Sequence, residues 1–202
     1  MKASGIFRNV TPSAKLALVN NQLGNPSLKL NQGSSSEVWD YIKISNPGTA
    51  QVLQFFANVN TKNKPFANIP QNQLSVGEAL SVSYIAWTKI TVKTLTGNIA
   101  SFTPLSGIDG LQLATFNLLL DNSRIIKNNS LVRSNTAFST VGSTGNNYLW
   151  YPDTNLVVPP QIPFVAELDV PTNSDASEEG YDTYYGCHIF GTGAILNLKS
   201  NV

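Results

Sequence analysis

The sequence predicts an all-β chain: a jelly-roll-type β-sandwich of about eight to ten antiparallel strands, entered by an extended N-terminal arm. Three observations carry this expectation. Apolar residues alternate with polar ones over short stretches, as a half-buried strand requires. These stretches are rich in Val, Ile, Thr, Tyr, Phe and Trp and are parted by turn chemistry such as Asn46-Pro47-Gly48, Gly97-Asn98, Gly107-Ile108-Asp109-Gly110, Gly142-Ser143-Thr144-Gly145 and Pro159-Pro160. No stretch shows a long, capped helical pattern; residues 111–120 fit either period.

Taken in order, residues 1–36 read as the arm. They carry Lys2, Arg8, Lys15 and Lys29 without a single acid and are rich in Asn, Ser, Gly and Pro. Few periodic apolar positions and like-signed charge give such a segment nothing to bury by itself, so it is expected to order against neighbours. The sandwich domain then occupies residues 37–202. Its strand candidates are residues 38–44, 51–59, 80–87, 88–94, 112–120, 155–158, 162–170, 183–190 and 194–198. The segment from Ile162 to Val170 has every even position apolar, and Thr88 to Thr94 repeats the pattern with Lys89 and Lys93 on the wet face. Gly191-Thr192-Gly193 reads as a turn before the last strand, and residues 135–147 and 171–180 as long loops. A chain with this many strands must protect its sheet edges, and a two-sheet jelly roll or a barrel does so.

Composition points to contact more than to chemistry. Apolar residues make up 42% of the 202 residues, enough for a sizeable core, whereas only 12% are charged, about half the usual share. Solubility therefore rests on Asn, Ser, Thr and Gln, groups that cost less to desolvate at an interface than Lys or Glu. The net charge of +1 conceals a division: residues 1–133 hold twelve Lys/Arg against five Asp/Glu, and residues 134–198 hold seven Asp/Glu and no Lys or Arg. Opposite charge on two parts of one chain suits self-association. The expected meeting is between the acidic residues Asp175, Glu178, Glu179 and Asp182 of one copy and basic groups of the next, with Lys62, Lys64, Lys89, Lys93, Arg124, Lys127 and Arg133 as donors.

Catalytic and metal chemistry is tested mainly by exclusion. A lone Cys187 forms no intramolecular disulfide, and His188 as the only histidine rules out two-His metal sites. The two are chain neighbours, but on a strand neighbours point to opposite faces, so no Cys/His dyad is expected. Glu167 and Asp169 lie two apart on one strand face, roughly 6–7 Å apart by strand rise, within reach of a glycosidase pair. They lack an aromatic platform in register, so a solvated or intersubunit face is the better reading. Residues 173–180 alternate oxygen-bearing side chains before Gly180 as calcium loops do, but the twelfth loop position is Gly186 where a bidentate Glu is needed. No Gly-x-Ser-x-Gly, Walker or Gly-x-Gly-x-x-Gly motif occurs. No catalytic residue, cofactor or metal is therefore assigned. Nor is a secretory or membrane-spanning segment expected. Basic residues do not interleave with aromatics as on a nucleic-acid platform, leaving only a non-specific contact of the arm with nucleic acid or an anionic membrane.

Many short strands, a low-charge Asn-rich surface, the acid-free basic arm, Trp150-Tyr151-Pro152 near a loop mouth and the entry Val157-Val158-Pro159-Pro160-Gln161-Ile162-Pro163-Phe164 into a late strand together resemble a coat protein of a tailless icosahedral virus, such as a bacteriophage. The resemblance implies a homo-oligomeric shell, vertex or spike subunit, made in the host cytoplasm and located in the virion. It further implies contact with copies of itself and with other capsid proteins, the arm facing inward toward nucleic acid or an internal membrane. The competing reading is a carbohydrate- or receptor-binding β-sandwich in which Trp150, Tyr151 and Tyr184, with Tyr181 and Tyr185, meet the apolar face of a sugar.

Overall fold

Ten strands build two antiparallel sheets in the computed structural model, which describes residues 33–44, 49–62, 66–76, 78–95, 98–104, 113–131, 148–171 and 181–195. They are β1 (Gly33–Lys43), β2 (Gln51–Phe55), β3 (Glu78–Leu95), β4 (Asn98–Pro104), β5 (Thr115–Leu120), β6 (Ser123–Ser130), β7 (Tyr148–Trp150), β8 (Val157–Val158), β9 (Phe164–Val170) and β10 (Tyr181–Ile195). One sheet runs β1-β10-β3, and the second edge of β3 is shared by β8, β7 and β4 in turn; the other runs β2-β9-β5-β6. The chain changes sheet at β1→β2, β2→β3, β4→β5, β6→β7, β8→β9 and β9→β10. This is the double Greek-key winding of a jelly roll. Of the arm, residues 1–32 lie outside the described residues, as do residues 173–180 of the calcium-type loop.

The core follows from the alternation. In β9 Phe164, Ala166, Leu168 and Val170 are buried, with Val165, Glu167 and Asp169 between them on the outer face. Trp87 of β3, fully buried, meets Phe55 of β2 at 5.3 Å and Phe116 of β5 at 5.4 Å, so a single indole joins the two sheets. Burying such a ring is worth about 1.5–3 kcal/mol or more. The free edge of β1 is covered by residues 66–68. Tyr41 N–H donates to Phe66 O at 2.8 Å, Trp39 N–H to Asn68 Oδ1 at 2.8 Å, and Asn68 Nδ2 to Glu37 O at 2.7 Å. Over Glu37–Tyr41 the edge is thus closed to further pairing.

The elements depart from the sequence reading in several places. Residues 80–87 and 88–94, expected as two strands, form one 18-residue strand. Gly191-Thr192-Gly193 is not a turn: β10 continues through it with a bulge between Phe190 and Gly191. β1 begins at Gly33, five residues before the expected start at Val38. β4, β6 and β7 match no expected strand, and of the ambiguous residues 111–120 the described ones, 113–120, contribute strand over Thr115–Leu120.

Candidate functional site

On β1 and β10 the alternation sends one set of side chains inward and another outward. Register pairs Trp39 with His188, Glu37 with Phe190 and Tyr41 with Gly186, and these face away from the core. Cys187, one residue from His188, is fully buried on the opposite face, where burial pushes its thiol well above the ordinary range. The expected divergence of the two side chains is observed.

His188 is nevertheless well partnered. Nδ1 lies 2.6 Å from Glu37 Oε1 and Nε2 lies 2.9 Å from Tyr41 Oη. A carboxylate only accepts, so Nδ1 carries a proton, and in the neutral ring Nε2 accepts from the Tyr41 hydroxyl. Both ring nitrogens are thus engaged within the chain. Burial raises the Tyr41 hydroxyl above its ordinary value, and the charge of Glu37 raises it further. Gly186 makes the arrangement feasible, because a Cβ there would fall 2.5 Å from Tyr41 Cε1 and nearer still to Thr88 Oγ1. Around this group stands a row of near-parallel rings: Trp39 against His188 at 6.3 Å, His188 against Phe190 at 6.0 Å, and Phe190 against Tyr84 at 4.6 Å. Outward sheet faces usually carry small polar or charged groups; this one carries half-buried aromatics.

The outer face of the other sheet is polar. Gln54 Nε2 donates to Glu167 Oε1 at 3.4 Å, and Asn117 Nδ2 and Arg124 NH2 approach Glu167 Oε2 at 3.5 and 3.4 Å. Glu167 of β9 therefore has long polar contacts to β2, β5 and β6. Asp169 stands exposed in the adjoining row between Val52 and Thr115.

The remaining sequence-selected residues are dispersed. Lys2, Arg8, Lys15, Lys29, Asp175, Glu178 and Glu179 lie outside the described residues. Asp182 pairs with Lys43 of its own chain at 2.8 Å, and Lys62 with the buried Asp40 at 2.6 Å. Trp150 packs against the core beside Phe116, Tyr151 lies against Tyr84, and Tyr184 stacks on Phe66 at 4.8 Å. Tyr184 and Phe190, the neighbour of Tyr84, are six residues apart on β10, or roughly 20 Å. The three aromatics proposed for a sugar face do not converge. Sequence reading missed Glu37, Trp39, Tyr41 and Asp40; the one available signal was their alternation through the first strand.

No protein-family model matches the chain, and no curated protein matches it. Among solved structures the chain is similar to a chain in the structure of infectious bursal disease virus Gt strain, at 9% identity and a TM-score of 0.20, over 86% of this chain and 43% of that one. The chain thus spans less than half the length of that neighbour, and a likeness this low carries no argument about function.

Proposed function

We propose that the chain is a structural virion protein, a self-assembling capsid subunit of shell, vertex or spike. The observation that carries the reading is the eight-strand winding β1-β10-β3-β8 over β2-β9-β5-β6, an architecture used in viral shells; the step from fold to use is by analogy. The low charge and the aromatic outer face support it, since interface cores are enriched in Tyr, Trp and Phe and depleted in charge. Its partners are copies of itself and other capsid proteins, the basic N-terminal segment touches nucleic acid or an internal membrane without sequence specificity, and the protein resides in the virion after synthesis in a host cytoplasm, a bacterial one if the virus is a phage.

No catalytic role belongs to this reading. Cys187 is inaccessible as a nucleophile, His188 has both nitrogens engaged, and Glu167 has long polar contacts to three neighbours. Negative-stain electron microscopy of the purified full chain tests the proposal. Closed shells, rings or discrete spikes of uniform size are expected; a field of single-chain particles at every protein concentration overturns it.

A further inference from the structure

We propose that a cleft in the β2–β3 connection binds one neutral saccharide ring. The cleft has a volume of about 260 Å³, and five of its lining residues are carboxamides: Asn58, Asn60, Gln71, Asn72 and Gln73. None of the lining residues is charged. The volume falls below the roughly 300–1,000 Å³ typical of sites for drug-sized ligands, so there is room for a ring and not for a chain of them.

The chemistry of the lining selects the ligand class. A carboxamide presents a donor and an acceptor in one fixed plane, and a sugar hydroxyl needs both. An ion would find no countercharge here, and a purely apolar ligand would strand the amides. Gln71 and Gln73 already bond to each other, with Gln73 Nε2 donating to Gln71 Oε1 at 3.0 Å. Asn58 precedes the 3₁₀ turn Val59–Thr61, yet its side chain makes no capping hydrogen bond. Asn58 is an exposed residue of the lining.

Both walls are fixed before any ligand arrives. Asp40, fully buried, accepts from Phe56 N–H at 2.7 Å and from Lys62 Nζ at 2.6 Å, so it brackets the 57–60 wall from both ends and leaves the pair neutral. Phe56 has φ of 69°, a conformation a bulky residue adopts only under constraint. Opposite, Asn72 O accepts from Phe164 N–H at 2.8 Å and Leu74 O from Gln161 N–H at 3.0 Å, which pins the 71–73 wall to the start of β9. Walls held in this way lose little freedom on binding. The inference does not rest on the capsid reading: particle formation and sugar binding are read separately, and either can fail alone.

The test is a titration of the ¹⁵N-labelled full chain with methyl β-D-glucopyranoside, methyl β-D-galactopyranoside and N-acetylglucosamine, with glycerol and sialic acid as comparisons. At least one of the three neutral sugars should shift the side-chain amide signals of Asn58, Asn60 and Asn72 saturably, with dissociation constants of about 1–10 mM. Asn58→Ala and Asn60→Ala, both at exposed positions, should weaken that binding at least about tenfold while leaving the rest of the amide spectrum in place. Ala57→Leu, which narrows the cleft, should abolish it. The proposal is overturned if none of the three sugars gives a saturable shift, if glycerol or sialic acid shifts these signals equally, or if the response survives both Asn58→Ala and Ala57→Leu.

Discussion

Asp40 is a carboxylate with no exposure in the core side of β1, and three groups make its position tenable: Lys62 Nζ, Phe56 N–H and the backbone of Tyr41. Burial still outweighs them, so the carboxyl titrates above its ordinary value of 3.8. The folded state keeps a proton that the unfolded chain has already released. The proton-linked part of Asp40's contribution to stability is therefore fully present below pH 3.8 and is lost as pH rises through the raised folded value, while the bonds to Lys62 and Phe56 N–H remain. Urea denaturation of the parent and Asp40→Asn across this window should show their difference moving against the parent as pH rises, and a difference moving in its favour would contradict the assignment. Asp40→Ala should cost about 2–4 kcal/mol at neutral pH, because Phe56 N–H and Lys62 lose their acceptor. Little of this was visible in the sequence. Alternation alone separates Cys187 from His188, but the partners of His188 lie 147 and 151 residues away along the chain, and a buried Asp in a β-rich segment looks like any wet-face residue.

At the scale of elements, legibility tracks burial. The apolar alternation of β9 is plain because one of its faces is in the core. β6 is nearly silent: of SRIIKNNS only Ile126 is buried, since the strand is an edge whose other side chains meet solvent. The better clue to it was the turn Asp121-Asn122, where both residues have positive φ (45° and 61°), as a two-residue hairpin matched to strand twist requires. Gly191 misled for a definite reason. Glycine there does not reverse the chain; it lets β10 approach β3 so closely that a Cβ would collide with Ser81 O and lie 2.8 Å from Ser81 C. Backbone cannot rotate away as a side chain can. Gly191→Ala should therefore destabilise the fold by about 1–3 kcal/mol or more, and faster amide exchange should appear along the β10–β3 ladder around Val82. Unchanged stability would mean that the two strands are not this close.

Over the whole molecule, a jelly roll or a barrel was expected from strand count and edge protection, whereas the order of the strands and the nature of the two outer faces were not. One face is aromatic around His188 and the other polar around Glu167, although neither strand composition nor charge announces the difference. The charge division is also partly consumed inside the fold: Lys43–Asp182 and Arg124–Glu167 pair across it within one chain. Exposed pairs of this kind are worth about 0–1 kcal/mol, so charge can orient association while aromatic and amide contacts supply its strength. The most direct test of a self-assembling subunit is the mass of the full chain in solution by light scattering over a wide concentration range. The account predicts a fixed multiple of 21.8 kDa that persists at moderate salt. A mass of one chain at every concentration up to about 100 μM would contradict it.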